Sequence, residues 1–291
     1  MKLKVLAFAA LCAIGCSAPR ELHDVVYDAR HGAAGTLDLY LPDLDGRAHA
    51  LVYFIHGGAW KAGDKTDFTA DARRLASSGF AVASTNYRLL PDGVFPGNAQ
   101  DCNCAYAYLR AHAEDYDIDP ARVVVMGYSA GGQLAGLVSL ENTEPELVSD
   151  CAEQGGRMQP PPLGVVSVSG PEDMVKLYGE LGAASTIDEL IGGTPDDRPD
   201  AYALASPVEH VVPGGPPWLV IEDGFDWGGI VEMAQTLKEA GVPETLLQVV
   251  GSLHVFEQWD EPGEYEVGVP NDAPEAWIAI EGFLFDTVGT P

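Results

Sequence analysis

Residues 122–137 read Arg-Val-Val-Val-Met-Gly-Tyr-Ser-Ala-Gly-Gly-Gln-Leu-Ala-Gly-Leu. A β-branched run ends in Gly127-Tyr128-Ser129-Ala130-Gly131 and opens into residues of helical character. That order describes a strand, a sharp turn and a helix. The Gly-x-Ser-x-Gly pattern at such a turn is a nucleophile elbow. Its serine adopts a strained backbone conformation, and the flanking glycines let strand and helix cross closely. The hydroxyl then projects at the helix N-terminus, where unpaired N–H groups favour negative charge.

A serine hydroxyl is a weak nucleophile at neutral pH. It needs a base, a carboxylate to orient that base, and donors for the oxyanion. His56-Gly57-Gly58-Ala59-Trp60 follows the apolar run Leu51–Ile55, and its glycine pair lets the backbone approach a substrate. Gly57 and Gly58, with the N–H of Ala130, are the expected oxyanion hole. The run Trp218–Ile221 leads into Glu222-Asp223-Gly224-Phe225-Asp226, just beyond a strand end, where such sheets carry catalytic groups. Asp226 is the first candidate for the acid, followed by Asp223 and then Glu222. His254, in the loop after the run 244–250, is the expected base, which completes the chain order Ser, Asp, His. Of the other histidines, His56 belongs to the glycine motif and is expected to brace it. His112 falls within a helix, His210 in a turn, and His23, His31 and His49 precede the core strands. Trp60, Tyr128, Phe225 and Trp227 are candidates for substrate contact; ordinary packing at strand ends explains such aromatics equally well.

Strands are expected at 35–41, 51–55, 80–84, 122–126, 163–169, 217–222 and 244–250. Helices are expected at 66–78, 98–116, 228–240, after the elbow, and from about residue 273. Residues 172–206 read as weakly helical, and 141–162 as an exposed excursion rich in Glu, Gly and Pro. Strands alternating with helices imply a mostly parallel central sheet with helices on both faces, an α/β architecture.

HGGAW, NYRLLP, the stretch from Asp117-Ile118-Asp119-Pro120-Ala121-Arg122 to Gly132, and Gly192-Gly193 with Ala205-Ser206-Pro207 together resemble the α/β-hydrolases. Within these the chain is similar to carboxylesterases related to hormone-sensitive lipase and to bacterial feruloyl and acetyl-xylan esterases (BD-FAE-like). The resemblance spans roughly residues 36–290. It implies an α/β-hydrolase fold with Ser129 as nucleophile, Asp226 as acid and His254 as base, whereas the little sequence ahead of the core leads us to expect no large cap. The implied activity is hydrolysis of small or carbohydrate-linked acyl esters, with no cofactor and no metal. An amidase, aryl formamidase or peptidase on the same fold is the nearest alternative, and a silent surface-binding lipoprotein the more distant one. Two departures stand out. The usual His-Gly-x-x-Asp around the acid is Glu222-Asp223-Gly224-Phe225-Asp226 here, and the usual Pro-x-x-Gln after it is Gly228-Gly229-Ile230-Val231.

Lys2 and Lys4 precede an apolar run, Val5–Ile14, too short to span a bilayer, and Ala13-Ile14-Gly15-Cys16-Ser17 resembles a lipobox. Residues 1–15 are therefore expected to be a signal peptide with Cys16 lipidated. Cleavage near Ala18 is the alternative, and the destination is a bacterial envelope, the periplasm or the exterior. Residues 17–35 read as linker and edge, and 36–291 as the hydrolase domain. The formal net charge is −28, and becomes −30 once Lys2 and Lys4 are removed. So acidic a chain excludes nucleic acid and anionic lipid surfaces as partners; the membrane enters only through the N-terminal anchor. Among the remaining cysteines, Cys102–Cys151 is the expected disulfide, with Cys104 a core thiol.

Overall fold

The computed structural model describes residues 19–42, 46–140, 144–152, 155–180, 182–222, 224, 226–249 and 274–290. The expected leader and Cys16 lie outside them. Eight strands form one sheet: β1 (Arg20–Val26), β2 (Thr36–Leu41), β3 (His49–Ile55), β4 (Ala81–Thr85), β5 (Ile118–Tyr128), β6 (Gly164–Val168), β7 (Trp218–Glu222) and β8 (Glu244–Gln248). Their spatial order is β1-β2-β4-β3-β5-β6-β7-β8. The β1–β2 and β2–β4 pairs are antiparallel, and all pairs from β4 to β8 are parallel.

The central strands read as unbroken apolar runs because both faces are covered. Leu51, Tyr53, Ile55, Val123, Val125 and Val165 pack on one side. Val52, Phe54, Val124, Met126, Tyr128 and Val166 pack on the other. The first side is covered by α2 (Gly97–Ala111), α3 (Ala130–Leu140) and α7 (Ile230–Glu239), the second by α1 (Thr69–Ser77) and α8 (Pro274–Val288). The crossover from β6 to β7 adds α4 (Met174–Tyr178), α5 (Ala184–Ile191) and α6 (Pro199–Ala205). From β3 the chain moves to β4 on one side, and from β5 to β6 on the other. The carboxyl ends of β3 and β5 therefore flank the switch point where open α/β sheets bind ligands.

Within residues 17–35, read as linker and edge, residues 20–26 form the edge strand β1. Its sequence Arg-Glu-Leu-His-Asp-Val-Val is largely solvent-facing, and its pairing with β2 is irregular between Leu22 and Val25, so no clean alternation marks it. The helix expected over 98–116 stops at Ala111 and continues only as a 3₁₀ turn, Ala113–Tyr116. The excursion is also less exposed than its composition suggests, since Leu147 and Cys151 are buried.

The disulfide joins Cys104, not Cys102, to Cys151. Helical phase explains the difference. Gln100 and Asn103 donate side-chain hydrogen bonds to the Glu146 and Leu147 carbonyls, so Cys104 shares the face of α2 that meets the excursion. Cys102 is a buried free thiol, and its carbonyl accepts from the Tyr53 hydroxyl beneath the helix. The bridge closes a sequence separation of 47, for which chain entropy predicts about 4 kcal/mol at most. Reduction is expected to lower the melting temperature of the wild type and of Cys102→Ser. A Cys104→Ala/Cys151→Ala variant is expected to melt at one temperature with or without reductant, as read by thermal denaturation.

Candidate active site

Ser129 follows the last registered residue of β5 and precedes the first residue of α3. Its φ is 50°, a left-handed value that costs a non-glycine residue roughly 1–2 kcal/mol. Sterics at the crossing impose it. A Cβ on Gly127 would lie 2.0 Å from the Gly131 carbonyl oxygen, and one on Gly131 would lie 2.1 Å from that of Ile55. The Ser129 N–H donates to the Val168 carbonyl (2.9 Å), which ties the turn to β6. Ala130 opens α3, so its N–H has no carbonyl within the helix to bond and faces the end where the dipole is positive.

The loop after β3 lies against this turn. A Cβ on Gly57 would stand 3.2 Å from that of Ser129 and 2.8 Å from the Tyr128 carbonyl oxygen, so only glycine fits. Gly58, Ala59 and Trp60 all have positive φ, which folds the loop back over the nucleophile. The Trp60 indole N–H donates to Gln133 Oε1 (3.2 Å) on α3, and Gln133 Nε2 donates to the Ala205 carbonyl. His56 is buried, stacks on Tyr87 with centroids 4.4 Å apart, and has Nδ1 2.8 Å from the Gly57 carbonyl oxygen. Burial lowers its imidazole pKa, which favours a neutral brace for the loop.

Ser129 opens on a cavity of about 240 Å³ whose apolar walls include Trp60, Leu177, Ile187 and Trp227. Leu177 and Ile187 come from the β6–β7 crossover, which the sequence marked only as weakly helical. A wider cleft of about 570 Å³ lies behind the His56 loop, beside Arg30, His31 and Arg88. There Arg30 is already engaged by Asp28 and Asp150, and Arg88 by Asp101.

Tyr128 does not reach the Ser129 cavity. Strand alternation turns it to the opposite face of the sheet, where it is buried and stacks on Phe68 with centroids 4.7 Å apart. Its expected role in substrate contact is withdrawn. Phe225 and His254 lie outside the described residues, as does Asp223. Glu222 is buried at the end of β7 and accepts from Gln248 Nε2 (2.7 Å).

Asp226 stands just beyond β7 and before Trp227, whose ring helps wall the cavity. Its Oδ1 accepts from the Val231 N–H (2.9 Å), and its Oδ2 lies 2.8 Å from Lys176 Nζ. Burial alone would raise this carboxyl, but the Lys176 ammonium and the backbone N–H groups hold it below the usual range. Lys176 was not foreseen. It sits on α4 beside Leu177, so one short helix supplies both a cavity wall and a charge for the candidate acid.

Beneath the elbow lies a second carboxyl without a counter-ion. Glu172 is fully buried, accepts from the Ser167 hydroxyl at 2.5 Å, and leaves Oε2 with no partner. Burial pushes its pKa up to about 8, against the weaker pull of the Ser167 bond. Among the described residues, no group of three or more His, Cys, Asp or Glu side chains could hold a metal ion. Nor is any described helix long and apolar enough to cross a membrane.

The family model BD-FAE matches residues 37–239. "Probable carboxylic ester hydrolase LipM" of Mycobacterium tuberculosis is 30% identical over 281 residues, covering 92% of this chain and 61% of that protein. Among solved structures, a bifunctional GH43-CE of Bacteroides eggerthii superposes with a TM-score of 0.78 and 26% identity, covering 92% of this chain and 38% of that one. A truncated carbohydrate esterase from gut microbiota gives a TM-score of 0.71 and 27% identity, covering 80% and 88%. The chain spans 47–61% of the length of the first three curated relatives it matches.

Glu172 gives this site a pH signature. Folded, its carboxyl holds its proton to about pH 8; unfolded, it ionises near the ordinary value of 4.5. Between those values the unfolded chain binds fewer protons, so stability falls as pH rises. Glu172→Gln, neutral at every pH, is expected to match the wild type near pH 4 and exceed it by roughly 4 kcal/mol near pH 8. Urea denaturation at the two pH values measures this. A difference independent of pH would mean that the folded carboxyl is ionised.

Proposed function

Because this chain belongs to the BD-FAE family, we propose that it hydrolyses carboxylic esters through an acyl-enzyme on Ser129. Small acyl groups on simple or carbohydrate alcohols are the favoured substrates. The observation that carries this reading is the left-handed elbow, which holds Ser129 at a small apolar cavity with Gly57 packed against it.

In this reading His254 takes the Ser129 proton as Oγ attacks the ester carbonyl carbon. The N–H groups of Gly58 and Ala130, with Gly57 allowing the close approach, receive the negative charge on the carbonyl oxygen. Collapse of that intermediate breaks the bond to the alcohol oxygen, which leaves with the proton from His254. Water then repeats the sequence and frees the acid. Asp226 orients the imidazole, and its depressed pKa keeps it anionic at the pH where His254 must be neutral. The small apolar cavity suits a short acyl group. The likeness to a carbohydrate esterase of gut microbiota favours sugar-linked esters.

We also infer export with a lipid anchor on Cys16. The basic start, the short apolar run and the lipobox-like stretch support it, and so does a disulfide of the kind that persists in oxidising compartments. Cys16→Ser is expected to move the protein from the membrane fraction to the soluble fraction of the producing cells.

Hydrolysis is tested with 4-nitrophenyl esters, acetylated xylan and feruloyl esters, with anilide analogues alongside. Ser129→Ala and His254→Ala are expected to lower kcat/KM by about 10⁴-fold or more. Asp226→Asn is expected to cost on the order of 10³–10⁴-fold, whereas Asp223→Asn stays within a few-fold. Undiminished turnover by Ser129→Ala would sink the reading, and faster anilide than ester cleavage would favour an amidase.

A further inference from the structure

The end of β6 repeats, one strand over, the arrangement that presents Ser129. Tyr128 and Val168 are register partners, so Ser129 and Ser169 are each the first residue past the paired region of adjacent strands. Both have left-handed backbones, with φ of 50° and 52°. Both line the same cavity. The Ser169 N–H donates to the Ile221 carbonyl (2.8 Å), as the Ser129 N–H does to that of Val168. The Ser169 side chain is buried, and its hydroxyl has no hydrogen-bond partner. Enclosing a hydroxyl without a partner is unfavourable, and a left-handed backbone at a non-glycine residue adds strain. Alanine would avoid the first cost and glycine both. An enclosed, unanswered hydroxyl beside a nucleophile suits a polar group that arrives with the substrate.

The position of that group follows from the chemistry. In an acyl-enzyme the acyl group stays on Ser129 while the alcohol departs, so the apolar cavity beside Ser129 fits the part that stays. A sugar alcohol is too polar to suit a cavity walled by Trp60, Leu177, Ile187 and Trp227. We propose that Ser169 is a specificity-determining residue whose hydroxyl bonds to an oxygen substituent on the acyl group, so that the site prefers short oxygenated acyl groups to plain alkyl ones. The proposal rests on reading Ser129 as the nucleophile of ester hydrolysis.

The test compares kcat/KM of the full chain for 4-nitrophenyl butyrate, 2-hydroxybutyrate and 3-hydroxybutyrate in wild type, Ser169→Ala and Ser169→Gly. Both variants remove the hydroxyl, and the glycine also relieves the backbone, so a shared effect belongs to the hydroxyl. Both are expected to lose about tenfold on at least one hydroxylated ester, with butyrate changed less than about twofold. If the three esters change by a common factor in both variants, Ser169 has no role in acyl choice and the proposal falls. A wild type that turns over none of the three, like Ser129→Ala, removes the ester-hydrolase reading itself and this inference with it.

Discussion

The close crossing of β5 and α3 at Gly127 and Gly131 is the constraint on which the site depends. Side chains at either position would collide with backbone carbonyl oxygens at 2.0–2.1 Å, far inside van der Waals contact. With both positions bare, the chain reverses in a single residue, and that residue must be left-handed. The reversal points the Ser129 hydroxyl away from the sheet and sets it beside the positive end of α3. The same closeness brings the loop after β3 into contact with Ser129 through Gly57, so the candidate nucleophile and the candidate oxyanion donors are positioned by one packing arrangement. The strain at Ser129, Ala59 and Trp60 is held by the strands and helix around it.

Charge around the site is distributed unevenly. On the exposed side, Asp226 is stabilised as an anion by Lys176 and by the N–H of Val231. On the buried side, Glu172 has only a serine hydroxyl for company and favours its neutral form. The two carboxyl groups are joined through the backbone, because the Gly228 carbonyl accepts from the N–H groups of both Glu172 and Asp173. The loop that carries the candidate acid is thus anchored to the segment that follows β6.

Much of this was legible in the residues. Buried parallel strands announce themselves as continuous apolar runs, and 51–55, 122–126 and 218–221 are such runs. Glycine in the elbow and after β3 is required by sterics, so the motif carries structural information even in a single sequence. Other features left weaker traces. The solvent-facing edge strand β1 has the composition of a linker. The partner of Cys151 depended on the phase of α2 against an excursion whose path composition does not give. Tyr128 faces away from the cavity because neighbours along a strand point to opposite sides of the sheet. Ser169 and Lys176 gave no signal, since their importance arises only when the crossover between β6 and β7 folds back over the nucleophile.

That crossover divides the molecule into parts with different freedom to vary. The excursion after α3 is stapled covalently to α2, far along the chain from the cavity walls. The crossover is joined to the acid loop by a few hydrogen bonds, among them Gly228 N–H to Glu180 and the pair accepted by the Gly228 carbonyl. Its helices α4 and α5 supply Leu177 and Ile187 to the cavity without contributing a strand to the sheet or a residue to the elbow. The walls at Leu177 and Ile187 can therefore be repacked without moving the elbow, provided that the contact of Lys176 with Asp226 is kept.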